Sequence, residues 1–144
     1  MIPALMGILG MLANGWHSDK TNERHWHTGI PVLAAGLMFF FSSFVRHNMN
    51  LTIVFLLLGT GFLFAYFPTF WAIPTAMLSE AAAAASFGLI NSIGQLGGFT
   101  GNYAIGFLND RTHSLAASFT FIALAYAAAG SLILSLRVRD PAVV

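Results

Sequence analysis

Cysteine is absent from this 144-residue chain and charge is scarce, with 6 basic and 5 acidic side chains making up 8% of it. Without cysteine there is no disulfide framework, no thiolate metal site and no cysteine nucleophile, and the redox compartment stays open. Soluble domains carry about 25% charged residues, so a water-soluble globule of this size could not solvate its surface. That excludes a soluble enzyme, a nucleic-acid binder with a basic footprint, and a disordered tail. A net charge of +1 identifies no partner. What is abundant is apolar: 57% of residues fall among AVILMFWYC. The class left is an all-α, multi-span membrane protein, with the lipid bilayer as its first partner.

The charges cluster at Asp19, Lys20, Glu23 and Arg24, at Arg46, at Glu80, at Asp110 and Arg111, and at Arg137, Arg139 and Asp140. Between them run charge-free stretches of 18, 21, 33, 29 and 25 residues. About 20 apolar residues cross a ~30 Å hydrocarbon core, so the last four are long enough, and spans are expected over 28–46, 51–78, 82–108 and 115–136. The first stretch loses its apolar character after Ala13, where Asn14, His17 and Ser18 follow. Residues 1–15 read as the tail of a helix that begins upstream. A signal peptide is the rival, but neither a basic leading segment nor a small-x-small cleavage site is present. If the loop Gly15–His27 is cytoplasmic and the helices alternate, Lys20, Arg24, Arg137 and Arg139 lie inside, against Arg46 and Arg111 outside. That agrees with the positive-inside rule and puts the carboxyl end in the cytoplasm.

The span from residue 51 to 78 contains Pro68 and Pro74, each lacking a backbone donor, and Gly59-Thr60-Gly61 midway. Breaks are expected there, either a functional break lining a wet cavity or a kink with a short interfacial segment. The span from 82 to 108 is patterned differently. At ~100° per residue, Asn91, Gln95, Gly98 and Asn102 share an arc of about 60°. Gly94, Gly97 and Gly101 lie beside it, and Leu89, Ile93, Leu96, Phe99, Tyr103 and Phe107 lie opposite. Amides in a stripe need partners inside a membrane. They suit a carboxylate or sugar acid in a water-filled cavity, or they bridge helices as hydrogen-bonding glue beside close-packed glycine.

Chemistry of other kinds finds no support. His17, His25, His27 and His47 invite a metal, and His25-x-His27 is a possible bidentate pair. A site wants three or four ligands with oriented outer shells, so solvent exposure in a polar loop is the better reading and no metal is expected. There is no Walker loop, no GxGxxG after a strand, no Ser/His/Asp arrangement and no paired carboxylates. No catalytic residue and no cofactor is assigned.

Gly15-Trp-His-Ser-Asp19-Lys20-Thr-Asn22-Glu-Arg24 resembles the G-x-x-x-D-(R/K)-x-G-(R/K)-(R/K) loop signature of the major facilitator superfamily. Gly15, Asp19, Lys20 and Arg24 match. Asn22 stands where the pattern has Gly, a change that Asn tolerates because it visits the left-handed region, and Glu23 stands where a basic residue is usual. Phe70-Trp-Ala-Ile-Pro74-Thr follows, and then AASFGLINSIGQLGGFTGNY over Ala84–Tyr103. That stretch closely resembles the eleventh helix of the anion:cation symporter family of tartrate-, phthalate- and sugar-acid-type permeases.

The resemblance covers the whole chain but only the later part of a twelve-helix fold. It implies a partial major-facilitator fold, with the end of helix 8 at 1–15 and helices 9 to 12 after it. It also implies proton-coupled uptake of a small organic anion by alternating access, in the plasma membrane, with an N-terminal transporter half as partner. It places Asn91 and, after it, Gln95 at the substrate, with Asn102 joining them as a candidate from the same stripe, and makes Asp19 a latch to the opposite half. The substrate arginine and the proton-coupling acids of such carriers lie mainly in that other half, so the chain by itself is expected to be inactive. A reading from another class is a membrane interaction or regulatory subunit that moves no solute.

Overall fold

The computed structural model describes residues 1–45 and 47–136. Among them every element is a helix: α1 (Ile2–Thr21), α2 (His25–Phe44), α3 (Met49–Met77), α4 (Glu80–Thr112) and α5 (Leu115–Ser135). Three of these, α2, α3 and α5, are long and apolar enough to cross a membrane by length and composition. At 33 residues α4 is the longest, but its glycines and amides make it less apolar.

The helix ends follow local chemistry. Asn48 caps α3, its side-chain oxygen accepting from the Leu51 N–H at 3.2 Å. Glu80 in the first turn of α4 and Arg111 in its last both complement the helix dipole. α1 ends where Asn22 turns left-handed at φ 52°. The Ser18 hydroxyl then donates to the Glu23 carbonyl at 2.6 Å and closes the turn.

Two sequence expectations are corrected. The first helix does not stop at residue 15 but runs to Thr21. Polarity ends a lipid-facing stretch without ending a helix, and His17, Ser18 and Lys20 all tolerate helical backbone. Of the two readings at Pro68 and Pro74, the functional break does not form, and α3 is one uninterrupted helix. Each proline removes a single donor and the ladder resumes after it, as the Leu78 N–H bond to the Pro74 carbonyl at 3.0 Å shows. Other helix ends fall within a few residues of those expected. Arg46, Arg137, Arg139 and Asp140, on which the charge count drew, lie outside the described residues.

α2 is the centre of the bundle, packed along α5 on one side and α3 on the other, while α1 packs on α3 and α4 flanks α3 and α5 lightly. The interior is built from small residues: Val32, Ala35, Ala65, Ala83 and Ala123 are buried with Ser18, Thr28, Ser42, Ser43, Thr69 and Ser118. Large apolar side chains such as Leu12, Phe44, Leu89, Phe99 and Leu132 point outward. This inverts a soluble core. Between membrane helices the gain comes from close backbone approach and hydrogen bonds, which small residues permit. Gly10 of α1 lies so close to Gly61 of α3 that a Cβ on it would collide with the Gly61 carbonyl. A Cβ on Gly130 of α5 would come within 2.6 Å of Leu33 Cγ on α2.

Pro31, inside α2, leaves the His27 carbonyl without its usual donor. Asn14 of α1 donates to that carbonyl at 2.8 Å, and the Thr69 hydroxyl of α3, 3.2 Å away, shares its one hydrogen between it and the nearer Tyr66 carbonyl at 2.8 Å. Asn14 uses its second amide hydrogen on the Ala65 carbonyl at 2.8 Å. Thr28 adds a buried hydroxyl–hydroxyl bond to Thr69 at 3.0 Å. Three helices therefore meet at one backbone oxygen that a proline exposed.

Candidate functional site

α3, α4 and α5, with Val32 of α2, line an open cavity of about 490 Å³ onto which the exposed Asn91 and Gln95 face from α4. α3 contributes Tyr66, Phe67, Phe70 and Trp71, and Tyr126 borders it from α5. The aromatic wall is ordered by edge contacts: Phe70 and Trp71 lie 5.3 Å apart at 77°, and Trp71 meets Phe87 of α4 at 5.3 Å and 79°. Trp71 thus forms part of the wall and joins α3 to α4.

None of the described residues lining this cavity carries a formal charge. Aromatic faces and edges take a flat apolar group, and each amide offers two donors and an acceptor. Such a wall can orient a planar or sugar-like anion through neutral hydrogen bonds, while full neutralisation of its charge needs a cation from outside these helices.

The expected trio is divided by the structure. Asn91 and Gln95, one turn apart, share the cavity, whereas Asn102 lines a separate hollow of about 310 Å³ with Phe39, Phe121 and Ile122. Tyr126 borders both. Among the described residues, no hydrogen bond ties the side chains of Asn91, Gln95 or Asn102 to another helix. The glycines beside them are equally free: nothing lies within 4 Å of a Cβ built on Gly88, Gly94, Gly97, Gly98, Gly101 or Gly106. The close packing expected of this glycine face does not occur among the described residues.

At the other candidate region, Gly15 faces Pro68 of α3, where a Cβ would touch Pro68 Cγ at 3.4 Å. Asp19 and Arg24 are brought together across the Asn22 turn at 3.7 Å, and Lys20 lies over the Trp16 ring at 5.1 Å. An exposed pair of this kind contributes ~1 kcal/mol at most. Burial of Glu23 works against its ionisation. Hydrogen bonds from the Trp26 N–H, the His27 ring and the His27 N–H, with the attraction of that ring, outweigh burial and hold the carboxyl below its ordinary 4.5.

Sequence reasoning missed the aromatic wall, whose signal was the close spacing of Tyr66, Phe67, Phe70 and Trp71 on the helix before the amide stripe. It also missed Asn14 and Thr69, whose signal was a proline inside an apolar helix.

A family model for the Major Facilitator Superfamily matches residues 1–102. The chain belongs to the Major Facilitator Superfamily. It is 37% identical over 122 residues to the Agrobacterium vitis protein named "Putative tartrate transporter", covering 85% of this chain and 28% of that one. It is 32% identical over 123 residues to the "Quinolone resistance transporter" of Acinetobacter baumannii, covering 85% of this chain and 28% of that one. With the Escherichia coli "Inner membrane transport protein RhmT" it shares 35% identity over 98 residues, 68% of this chain and 22% of the relative. No solved structure matches. The chain spans about 28% of the length of the curated relatives it matches best among these. These relatives are transport proteins by name, not enzymes, and with its apolar helices the chain is a multi-pass membrane protein of that superfamily.

Proposed function

We propose that this chain forms one wall of the substrate cavity of an organic-anion carrier, coupled to protons in the complete transporter. α1 to α5 then stand for the eighth to twelfth helices, with Asp19 as a latch towards the other half. The bundle sits in the plasma membrane with its carboxyl end in the cytoplasm. One observation carries the reading: Asn91 and Gln95 open together into an aromatic-walled cavity, and neither amide is spent on bridging helices. The relatives named for tartrate, a dicarboxylate, are in keeping with anionic cargo. The open glycine face of α4 is the surface on which the other transporter half would rest.

The test is Asn91→Ala in a complete carrier containing these helices, reconstituted in liposomes. Losing one hydrogen bond to a bound anion costs about 1–3 kcal/mol. Affinity for a carboxylate substrate should therefore fall about 5-fold or more, at ~1.4 kcal/mol per tenfold, with membrane level and melting unchanged. Gln95→Ala should act in the same direction but less, and Phe99→Ala, on the outward face, should do neither. Unchanged affinity with lowered stability would assign the stripe to packing. The chain alone should insert into the membrane and show no saturable uptake.

A further inference from the structure

Away from that cavity, Glu23, His27 and His17 form one hydrogen-bonded line across the junction of α1 and α2. Glu23 accepts from the Trp26 N–H at 2.8 Å and from His27 Nδ1 at 2.8 Å. The other nitrogen of that ring, His27 Nε2, lies 2.5 Å from His17 Nδ1, with the ring centroids 4.8 Å apart. The sequence singled out His25 and His27 as a pair. The structure joins His17 to His27 instead and turns His25 to the Ile133 carbonyl on α5, 2.7 Å away.

Counting hydrogens along the line shows what it tolerates. A carboxylate only accepts, so His27 Nδ1 carries a hydrogen, and in a neutral ring Nε2 is then a bare lone pair. His17 Nδ1 supplies the single hydrogen between the rings. Two neutral rings therefore satisfy every contact. One added proton goes to the remaining nitrogen, His17 Nε2, and leaves the line intact. A second would put N–H groups on both facing nitrogens, at 2.5 Å and on two positive rings. That contact does not survive.

We propose that Glu23, His27 and His17 act as a proton-reading clamp. It stays closed while the two rings share at most one positive charge. When both are charged it opens and frees the last turn of α1 from the start of α2.

Among the described residues, the surroundings leave the reading to these three groups. The hollow beside the rings is otherwise lined by Asn14, Trp26, Ile30, Pro31 and Phe62, none ionisable. On α1, Asp19 is paired with Arg24 and Lys20 is over Trp16, and on α2, His25 is bonded to α5. α3 has no charged side chain, and neither has α5 among the described residues. The clamp also sits on the three-helix node, because the His27 carbonyl is the oxygen held by Asn14 and Thr69. Opening it loosens one corner of that node.

Imidazoles change charge between about pH 5 and 8. Two positive rings with facing N–H groups cannot keep the His17–His27 contact, so the clamp is expected to be lost on acidification through that range. The experiment is thermal melting of the whole chain in detergent at pH 7.5 and 5.0. The unmodified protein should lose about 4 °C or more. His17→Gln, which keeps hydrogen-bonding capacity without the charge, should remove at least half of that loss. His17→Gln/His27→Gln should be no flatter than the single variant, and His113→Gln, at the end of α4, should retain the full loss. Hydrogen exchange on the unmodified protein reads the same event without a variant. Corrected for intrinsic rates, amides of residues 17–21 should lose protection about 10-fold at pH 5.0 while those of α5 do not. A full loss of melting temperature in His17→Gln, or unchanged protection at 17–21, overturns the clamp.

Discussion

The side-chain amide of Asn14 donates at 2.8 Å to the backbone carbonyl of His27, an oxygen left without its helical donor by Pro31. Proline inside a transmembrane helix is tolerated where a neighbour satisfies the freed group. Here the neighbour is a polar residue on another helix, seconded by Thr69 from a third. Asn14 is therefore an architectural residue of α1, and the substrate reading does not depend on it.

Asn14→Ala should destabilise the bundle. Interhelical hydrogen bonds in membranes average ~0.6 kcal/mol, so losing both amide bonds should cost about 1 kcal/mol. Pro31→Ala restores the donor within α2, and in that background the cost of Asn14→Ala should shrink. A double-mutant cycle from detergent unfolding measures this, and equal costs in both backgrounds would detach Asn14 from Pro31.

Glycines on the two sides of the molecule should respond oppositely to alanine. Gly10→Ala pushes a methyl into the Gly61 carbonyl, which is backbone and cannot swing away, and overpacking of this kind costs about 1–3 kcal/mol. Gly97→Ala meets nothing within 4 Å and should hold or raise helix stability by about 0.5–1 kcal/mol in this chain. In a complete carrier the same Gly97→Ala should lower assembly or uptake. Calorimetric melting of the chain, set beside uptake by the carrier, separates the two settings.

Glu23 has its own pH window, below that of the imidazoles. Its folded carboxyl is held under the ordinary 4.5, so its contribution is present above that value and is lost as pH falls through the folded one. Glu23→Gln keeps the shape without the charge. It should flatten the fall in melting temperature below about pH 4.5. Identical acid profiles would mean that the hydrogen bonds at Glu23 confer no net preference for the ionised form.

Topology turns on α4, the long helix with the weaker apolar signal. If α3, α4 and α5 all cross, reporters fused after Val144 and within residues 47–50 lie on opposite sides of the membrane. If α4 lies along the surface, only two crossings separate them and both report the same side. Opposite sides are expected, because 33 residues at 1.5 Å rise exceed a ~30 Å core.

The charge-free runs were sufficient to find the helices, because a backbone in lipid must satisfy its hydrogen bonds within each segment. Length and apolarity are local properties, and sequence reports them directly. The left-handed turn at Asn22 was equally legible, since few residues other than Gly adopt it. The amide stripe on α4 was legible as a stripe, because 3.6-residue periodicity is also local.

Which of those amides share a space was not local. Asn91 and Gln95 open on one cavity and Asn102 on another because of how α3 and α5 lie against α4. The same holds for every long-range contact that organises the bundle. Asn14 reaches Ala65 across 51 positions and His25 reaches Ile133 across 108. The nearest histidines in the chain, His25 and His27, are separated by their bonds to α5 and α1. Sequence by itself determined that this is a helical membrane chain and where its apolar stretches lie. Tertiary structure alone decided which side chains meet, because that depends on how each helix is rotated and set against its neighbours.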